Sequence, residues 1–317
     1  MSRRAYLTLL TKADYLPGVL VLHRSLVDSG TKYPLIVMTT PALPQEVRDI
    51  VVRKGLEILE VEPLRPKEGQ HALNPHDIRF AETWTKLRMF ELLQFDHLVV
   101  LDADMVVRRN MDELMDLDLP PGHIAAAHIC SCNPRKLAHY PKDWTPENCP
   151  HTGMKHPEAL TSPRRIEPSS PRPHTLLNGG LVVLRPSLDI FHELRQFLAE
   201  SPLVPTFSFP DQDLMSIYFK DRWQPLPWCY NALKPLRWVH PEEWRDEEVR
   251  CVHYILSDKP WMVQPGTGDP NFFVVNQWWW DVFEKLRVEM GASDPEGWKF
   301  VERVVAQSIE RFEKQNL

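Results

Sequence analysis

Strand-like apolar runs alternate with helical patterns through the first hundred residues, and this alternation leaves the chain few architectures. Residues 5–10 read as a buried strand. Residues 15–27 place Leu16, Val19, Leu20, Leu22 and Leu26 at helical spacing before Asp28-Ser29-Gly30 stops the helix. Residues 34–39 form a second strand, 45–54 a helix with Gly55 as its C′ residue, and 56–61 a third strand. A helix over 81–93 and a strand over 97–101 follow. A βαβαβ rhythm of this kind implies a largely parallel sheet covered by helices, the α/β class.

Beyond residue 110 the pattern changes. Residues 134–173 carry nine prolines and no hydrophobic period, which reads as one long irregular loop, functional or mobile, and the candidate acceptor region. Strands are expected at 176–184 and 249–254, and helices at 188–199 and 211–219. The tail from about 272 to 317 reads as two helices separated by Gly291-Ala292-Ser293-Asp294-Pro295. The expected organisation is a main domain over 1–270, with 134–173 as its loop, and a helical extension over 271–317 packed on it.

Composition narrows the function. The 317 residues are 43% apolar and 25% charged, which excludes wholesale disorder. A net charge of -6 argues against non-specific nucleic-acid binding, which needs a basic field. Five cysteines, an odd number in a long chain, do not make a secreted disulfide framework. The apolar run after Arg4 is too short for a secretory signal, and no stretch reaches the ~18 apolar residues of a membrane span. A cytoplasmic protein with reduced thiols and no membrane partner is expected; a homodimer is compatible with the sequence.

The segment His97-Leu98-Val99-Val100-Leu101-Asp102-Ala103-Asp104 carries the clearest chemistry. Side chains alternate along a strand, so Asp102 and Asp104 should point the same way. Ligands of open parallel sheets bind beyond the carboxyl ends of the strands. Two carboxylates there repel unless a cation lies between them, and Mg²⁺ or Mn²⁺ commonly bridges such groups to substrate phosphates. The competing reading is a solvated turn at a strand end. Cys130, Cys132, Cys149 and His151 offer four zinc-type ligands in one loop, although the spacing is not a standard finger and free thiols are the alternative.

Over residues 5–261 the chain resembles glycosyltransferase family 8, enzymes of the GT-A fold. Five segments carry the resemblance in order: Thr8-Leu9-Leu10-Thr11 with Tyr15; Thr85-Lys86-Leu87-Arg88; Leu101-Asp102-Ala103-Asp104; Leu177-Asn178-Gly179-Gly180 with Asp211-Gln212-Asp213; and His253 followed by Lys259-Pro260-Trp261. The resemblance implies a Rossmann-like, mostly parallel central sheet flanked by helices, with C-terminal helices. It also implies anomer-retaining transfer of glucose or galactose from UDP-glucose or UDP-galactose, with Mn²⁺ or another divalent cation as cofactor.

Carried onto this chain, the resemblance makes Asp102, Asp104 and His253 the metal ligands. Leu9, Thr11 and Tyr15 would hold uridine, with Tyr15 stacking on the uracil. Lys259 would meet the diphosphate and Lys86 a phosphate or the sugar, while Asn178 and Gly179 would approach the donor. Asp211 and Gln212 would hydrogen-bond the hexose near its anomeric carbon. Asp211 also has a competing reading as a helix N-cap, and Gly179-Gly180 one as a bulge.

Two branches of the family fit best. Galactinol synthases are similar across Tyr230-Asn231-Ala232-Leu233, Trp238-Val239-His240-Pro241-Glu242, Val252-His253-Tyr254 and Trp278-Trp279-Trp280-Asp281, which implies a small polyol or sugar as acceptor. Glycogenins share the general layout, but usually carry asparagine where Lys12 stands. Their self-glucosylation needs a tyrosine before the metal histidine, and none lies between Asn231 and His253. The family often has glycine at the position of Leu256. That departure keeps a third reading open, a non-catalytic nucleotide-sugar-binding protein.

Overall fold

Four strands from the first hundred residues build half of the central sheet: β1 (Arg4–Leu10), β2 (Leu35–Thr39), β3 (Glu57–Glu60) and β4 (His97–Leu101). All pair in parallel, with β1 between β2 and β4, and Tyr6 faces Leu35 on one side and Val99 on the other. The computed structural model describes residues 3–72 and 80–315; the last two positions of the expected tail lie outside these residues. The sheet continues through β6 (Ile124–His128), β7 (Leu177–Leu184) and β8 (Trp223–Pro225). Its order is β3-β2-β1-β4-β7-β6-β8, with β7 antiparallel to both neighbours and the other pairings parallel.

Alternation along β1 sends Tyr6 and Leu10 to one face and Ala5 and Leu7 to the other. The first face packs on α1 (Leu16–Asp28), α2 (Gln45–Arg53) and the C-terminal pair α6 (Phe273–Ser293) and α7 (Pro295–Gln315). The second packs on α3 (Leu188–Glu200), α4 (Pro210–Tyr218) and residues 83–91. The doubly covered sheet expected from the first hundred residues is therefore present, and the tail breaks at Asp294, whose carboxylate accepts from the Gly297 N–H at 3.1 Å.

Residues Thr83–Glu91 form a 3₁₀ helix instead of the expected α-helix. Trp84, Leu87 and Phe90 recur at every third position and are all buried, so a helix of three residues per turn puts them on one face. Lys86, beside this face, is buried as well.

Two features shape the end of β4. Strand β5 (Met105–Val107) leaves the main sheet and joins a second, three-stranded sheet with β10 (Cys251–His253) and β9 (Ala232–Leu233). Gly18 of α1 lies against the turn at Ala103, where a Cβ would run into the Ala103 carbonyl and touch Trp261. Trp261 is fully buried between Tyr15 and Trp279 of α6, with ring centroids 5.5 Å and 5.6 Å away.

Candidate functional site

The departure of β5 assembles the site. Strand β4 stops at Leu101, so Asp102-Ala103-Asp104 is a turn rather than the end of a strand. Both carboxylates still reach one place, because the Asp102 N–H is tied to the Gly180 carbonyl (2.8 Å) and the Asp104 carbonyl accepts from the Tyr254 N–H (2.9 Å). Antiparallel pairing sets His253 opposite Met105, one residue past Asp104. The imidazole Nε2 then lies 3.7 Å from Asp102 Oδ2 and 3.4 Å from Asp104 Oδ1. One ligand atom from each residue falls within 4.8 Å of the others, close enough to hold one cation.

Asn231, just before β9, orients the histidine. Its Oδ1 lies 3.0 Å from His253 Nδ1, and its Nδ2 donates to Asn178 Oδ1 at 2.9 Å. With Asn231 as acceptor the proton sits on Nδ1, leaving the Nε2 lone pair facing the Asp102 and Asp104 carboxylates. Gly180 makes room for the ring, since a Cβ there would overlap it.

Two buried lysines balance the carboxylates. Lys86 Nζ lies 2.6 Å from Asp102 Oδ1 and 3.0 Å from Asp211 Oδ2, and donates to the Gly179 carbonyl at 3.2 Å. Burial by itself would lower the Lys86 pKa, but the two carboxylates outweigh it and raise it above the ordinary lysine value. Lys259 donates to Asp104 and to the Tyr254 carbonyl (2.8 Å). Burial would raise the Asp104 pKa, yet Lys259 and His253 hold it well below the usual carboxylate range. Asp102 goes the other way: burial raises its pKa against the pull of Lys86, and the charge of Asp104 adds to the rise.

The carboxylates, the histidine and both lysines line one cavity together with every other expected site residue: Leu9, Thr11, Tyr15, Asn178, Gly179, Asp211 and Gln212. Gln212 Oε1 accepts from Asn178 Nδ2 (3.2 Å) and the Gly179 N–H (3.3 Å). Asp211 does not cap its helix. Asp213, in the first turn of the helix, accepts from the Ser208 and Phe209 N–H groups that precede it at 2.8 Å each, and Asp211 pairs with Lys86. Aromatic rings line the same cavity. Tyr140 and Trp144 come from the proline-rich loop, and the Trp144 ring stacks on Phe209 at 5.0 Å.

Leu256 has φ +77°, in the left-handed region that favours glycine. The backbone path that a glycine would take is thus kept, at a steric cost borne by leucine.

Sequence reasoning missed the groups behind this cavity. Asn231 carried no separate signal, being 22 residues from the ring it holds. Lys234 is fully buried, donates to the Asp258 carbonyl (2.7 Å), and is pushed down to about 8 by burial despite the Asp258 carboxylate. Arg135, in the proline-rich loop, grips the Asp258 carboxylate with two bonds of 2.9 and 2.7 Å, so the segment carrying Lys259 is held from both sides. The four-ligand group in that loop is also different from the expected one. His151 faces Glu243, with Nδ1 2.9 Å from Oε2, and His240 takes its place beside the three cysteines.

A family model described as Glycosyl transferase family 8 matches residues 6–264. Galactinol synthase 2 of Arabidopsis thaliana is 31% identical over 289 residues, covering 89% of this chain and 81% of its own. Galactinol synthase 1 of Solanum lycopersicum is 31% identical over 294 residues, covering 91% and 84%. Among solved structures, the galactosyltransferase LgtC in complex with donor and acceptor sugar analogs superimposes with a TM-score of 0.57 at 14% identity, over 88% of this chain and 95% of that one. The glycosyltransferase GlyE of Streptococcus pneumoniae TIGR4 also gives 0.57, at 16% identity, over 89% and 61%. These structural matches establish a shared fold.

Proposed function

Because the chain belongs to glycosyltransferase family 8, we propose that this enzyme moves a hexose, galactose or glucose, from its UDP-sugar to a small polyol or sugar, with retention at the anomeric carbon. The observation that carries this reading is the convergence of Asp102, Asp104 and His253 between two buried lysines at the end of β4. The similarity to galactinol synthases supports a polyol acceptor.

The donor set fits a divalent cation. Two carboxylates and one imidazole suit Mn²⁺ somewhat better than Mg²⁺, and Asn231 already holds the histidine in the ligating orientation. When bound, the ion would neutralise charge on the diphosphate.

The chain's own residues do the rest. Lys259 places an ammonium beside Asp104, where the departing diphosphate gathers negative charge. Lys86 orients Asp102 and Asp211 toward each other's side of the cavity. With its oxygen engaged, Gln212 offers its amide nitrogen to the hexose. Leu9, Thr11 and Tyr15 form the uridine end of the cavity. The C1–O bond to the phosphate breaks as the acceptor oxygen bonds C1 from the same face, and the acceptor proton passes to the leaving phosphate oxygen. The ion pair between Asp211 and Lys86 lowers the nucleophilicity of Asp211 and supports this front-side course over a covalent glycosyl-enzyme. Trp144 and Tyr140 offer flat apolar faces on the acceptor side. Five free cysteines support a reducing, cytoplasmic location.

A UDP-release assay with UDP-galactose and UDP-glucose against a panel of polyols and oligosaccharides, with product masses, tests the reading. Acceptor-dependent release is expected, and Asp104→Ala should abolish it together with metal-dependent UDP binding. UDP binding without transfer to any acceptor would refute it. Intact protein mass should show no added hexose.

A further inference from the structure

Among the described residues, a second group of metal-type ligands is formed by Cys130, Cys132, Cys149 and His240. Cys130 and Cys132 follow the end of β6, Cys149 lies farther along the proline-rich loop, and His240 closes α5 (Leu236–Val239). All three thiols are free. Each residue contributes one atom to a set lying within 4.8 Å of one another.

The separations match a particular solid. A tetrahedral zinc with Zn–S near 2.3 Å and Zn–N near 2.0–2.1 Å requires S···S edges of roughly 3.8 Å and S···N edges of roughly 3.6 Å. Cys149 Sγ lies 3.8 Å from Cys130 Sγ. His240 Nε2 lies 3.7, 3.2 and 3.5 Å from the sulfurs of Cys130, Cys132 and Cys149. A disulfide would have drawn two sulfurs to about 2.05 Å and left the imidazole aside. Here one ring nitrogen faces three sulfurs at nearly equal range. His240 is fixed from behind, its carbonyl accepting from the Glu243 and Trp244 N–H groups at 3.1 Å each.

We propose that Cys130, Cys132, Cys149 and His240 form a closed, structural Zn²⁺ site, distinct from the Asp102/Asp104/His253 site. Soft thiolates select zinc over the harder ions suited to the carboxylates. Four protein ligands leave no open position, which makes the ion structural and not catalytic. Binding exchanges thiol protons for the ion and involves no redox change: the protons pass to solvent as the sulfur–zinc bonds form. The ion would join positions more than ninety residues apart in sequence and close the loop from 130 to 149 that carries Tyr140 and Trp144 to the cavity wall. The zinc assignment does not depend on the proposed transferase chemistry.

Metal analysis of the full chain, purified without chelator from zinc-supplemented cells, tests the proposal. About one zinc per chain is expected. Cys132→Ser and His240→Gln should each lose most of it, while Asp104→Ala retains it. Cobalt exchanged into the wild-type chain should give the intense visible bands of tetrahedral thiolate coordination, a readout that needs no variant to fold. Absence of zinc together with a cobalt spectrum of octahedral, oxygen-ligated type would overturn the proposal. So would zinc that Asp104→Ala removes and Cys132→Ser does not.

Discussion

The position of Gly180 makes the donor site testable by a single methyl group. An ideal Cβ built on this residue lies 2.5 Å from His253 Nδ1, closer still to Cε1, and 3.0 Å from Asn178 Oδ1. Restoring ordinary contact at 3.4 Å moves the ring by about 0.9 Å at Nδ1. Ligand distances in metal sites tolerate only about 0.2 Å. The ring therefore cannot keep both its bond to Asn231 and its place beside Asp102 and Asp104. Disturbing a group that orients a ligand costs roughly 10–100-fold in metal affinity, and displacing the ligand itself should reach the upper end. Overpacking should also cost about 1–3 kcal/mol of stability. Calorimetric titration of Mn²⁺ in the presence of UDP reads the first effect and denaturant unfolding the second. Gly291→Ala is the control: nothing lies within 4 Å of its Cβ and it is remote from the cavity lining. If Gly180→Ala binds Mn²⁺ as the wild type does, His253 is not a ligand and the donor-site reasoning fails.

Three other outcomes follow from the same structure. Lys86→Met leaves the buried Asp211 and the partly exposed Asp102 facing each other without their shared cation, and should cost about 3 kcal/mol of unfolding free energy in urea titration, along with activity. Leu256→Gly should be more stable than Leu256→Ala by about 1 kcal/mol, reversing the usual order, because only glycine is free of strain at φ +77°. Burial, reinforced by Lys54, lowers the His23 pKa to about 4, and burial lowers that of His97 as well. Since the folded value lies below the unfolded one near 6.5, this stability is complete above about pH 6.5 and is lost as pH falls toward 4, by up to about 3 kcal/mol for His23. Denaturant midpoints at pH 7.5 and 5 should show the loss; an unchanged slope in His23→Gln would contradict the assignment.

The alternation of β1 to β4 with their helices was legible because each element carries its own period: Leu16, Val19 and Leu20 mark α1 as plainly as the apolar run marks β4. Asp102 and Asp104 were legible as a pair, although a turn and not strand pleating aligns them. His253 and both lysines stood out only through the family resemblance, since a lone histidine or lysine has no local signature. What escaped was set by long-range register. Asn231 reaches His253 because β9 and β10 are neighbours, and His240 reaches Cys132 across 108 residues. Asp211 pairs with Lys86 while Asp213 accepts from the N–H groups ahead of α4, a division of labour that two carboxylates two positions apart do not disclose in the sequence. The 3₁₀ winding of 83–91 followed from spacing of three, a period that α-helical templates absorb without notice.

Trp261 stands two positions beyond Lys259, wedged among Gly18, Tyr15 and Trp279. Its indole is the keystone through which the last two helices brace the segment that carries the lysine, so those helices act as a buttress for the cavity and not as an appendage. Clipping the chain before Trp279 would leave the indole with one flank open to water, and the ammonium would lose its footing though no residue of the cavity had changed.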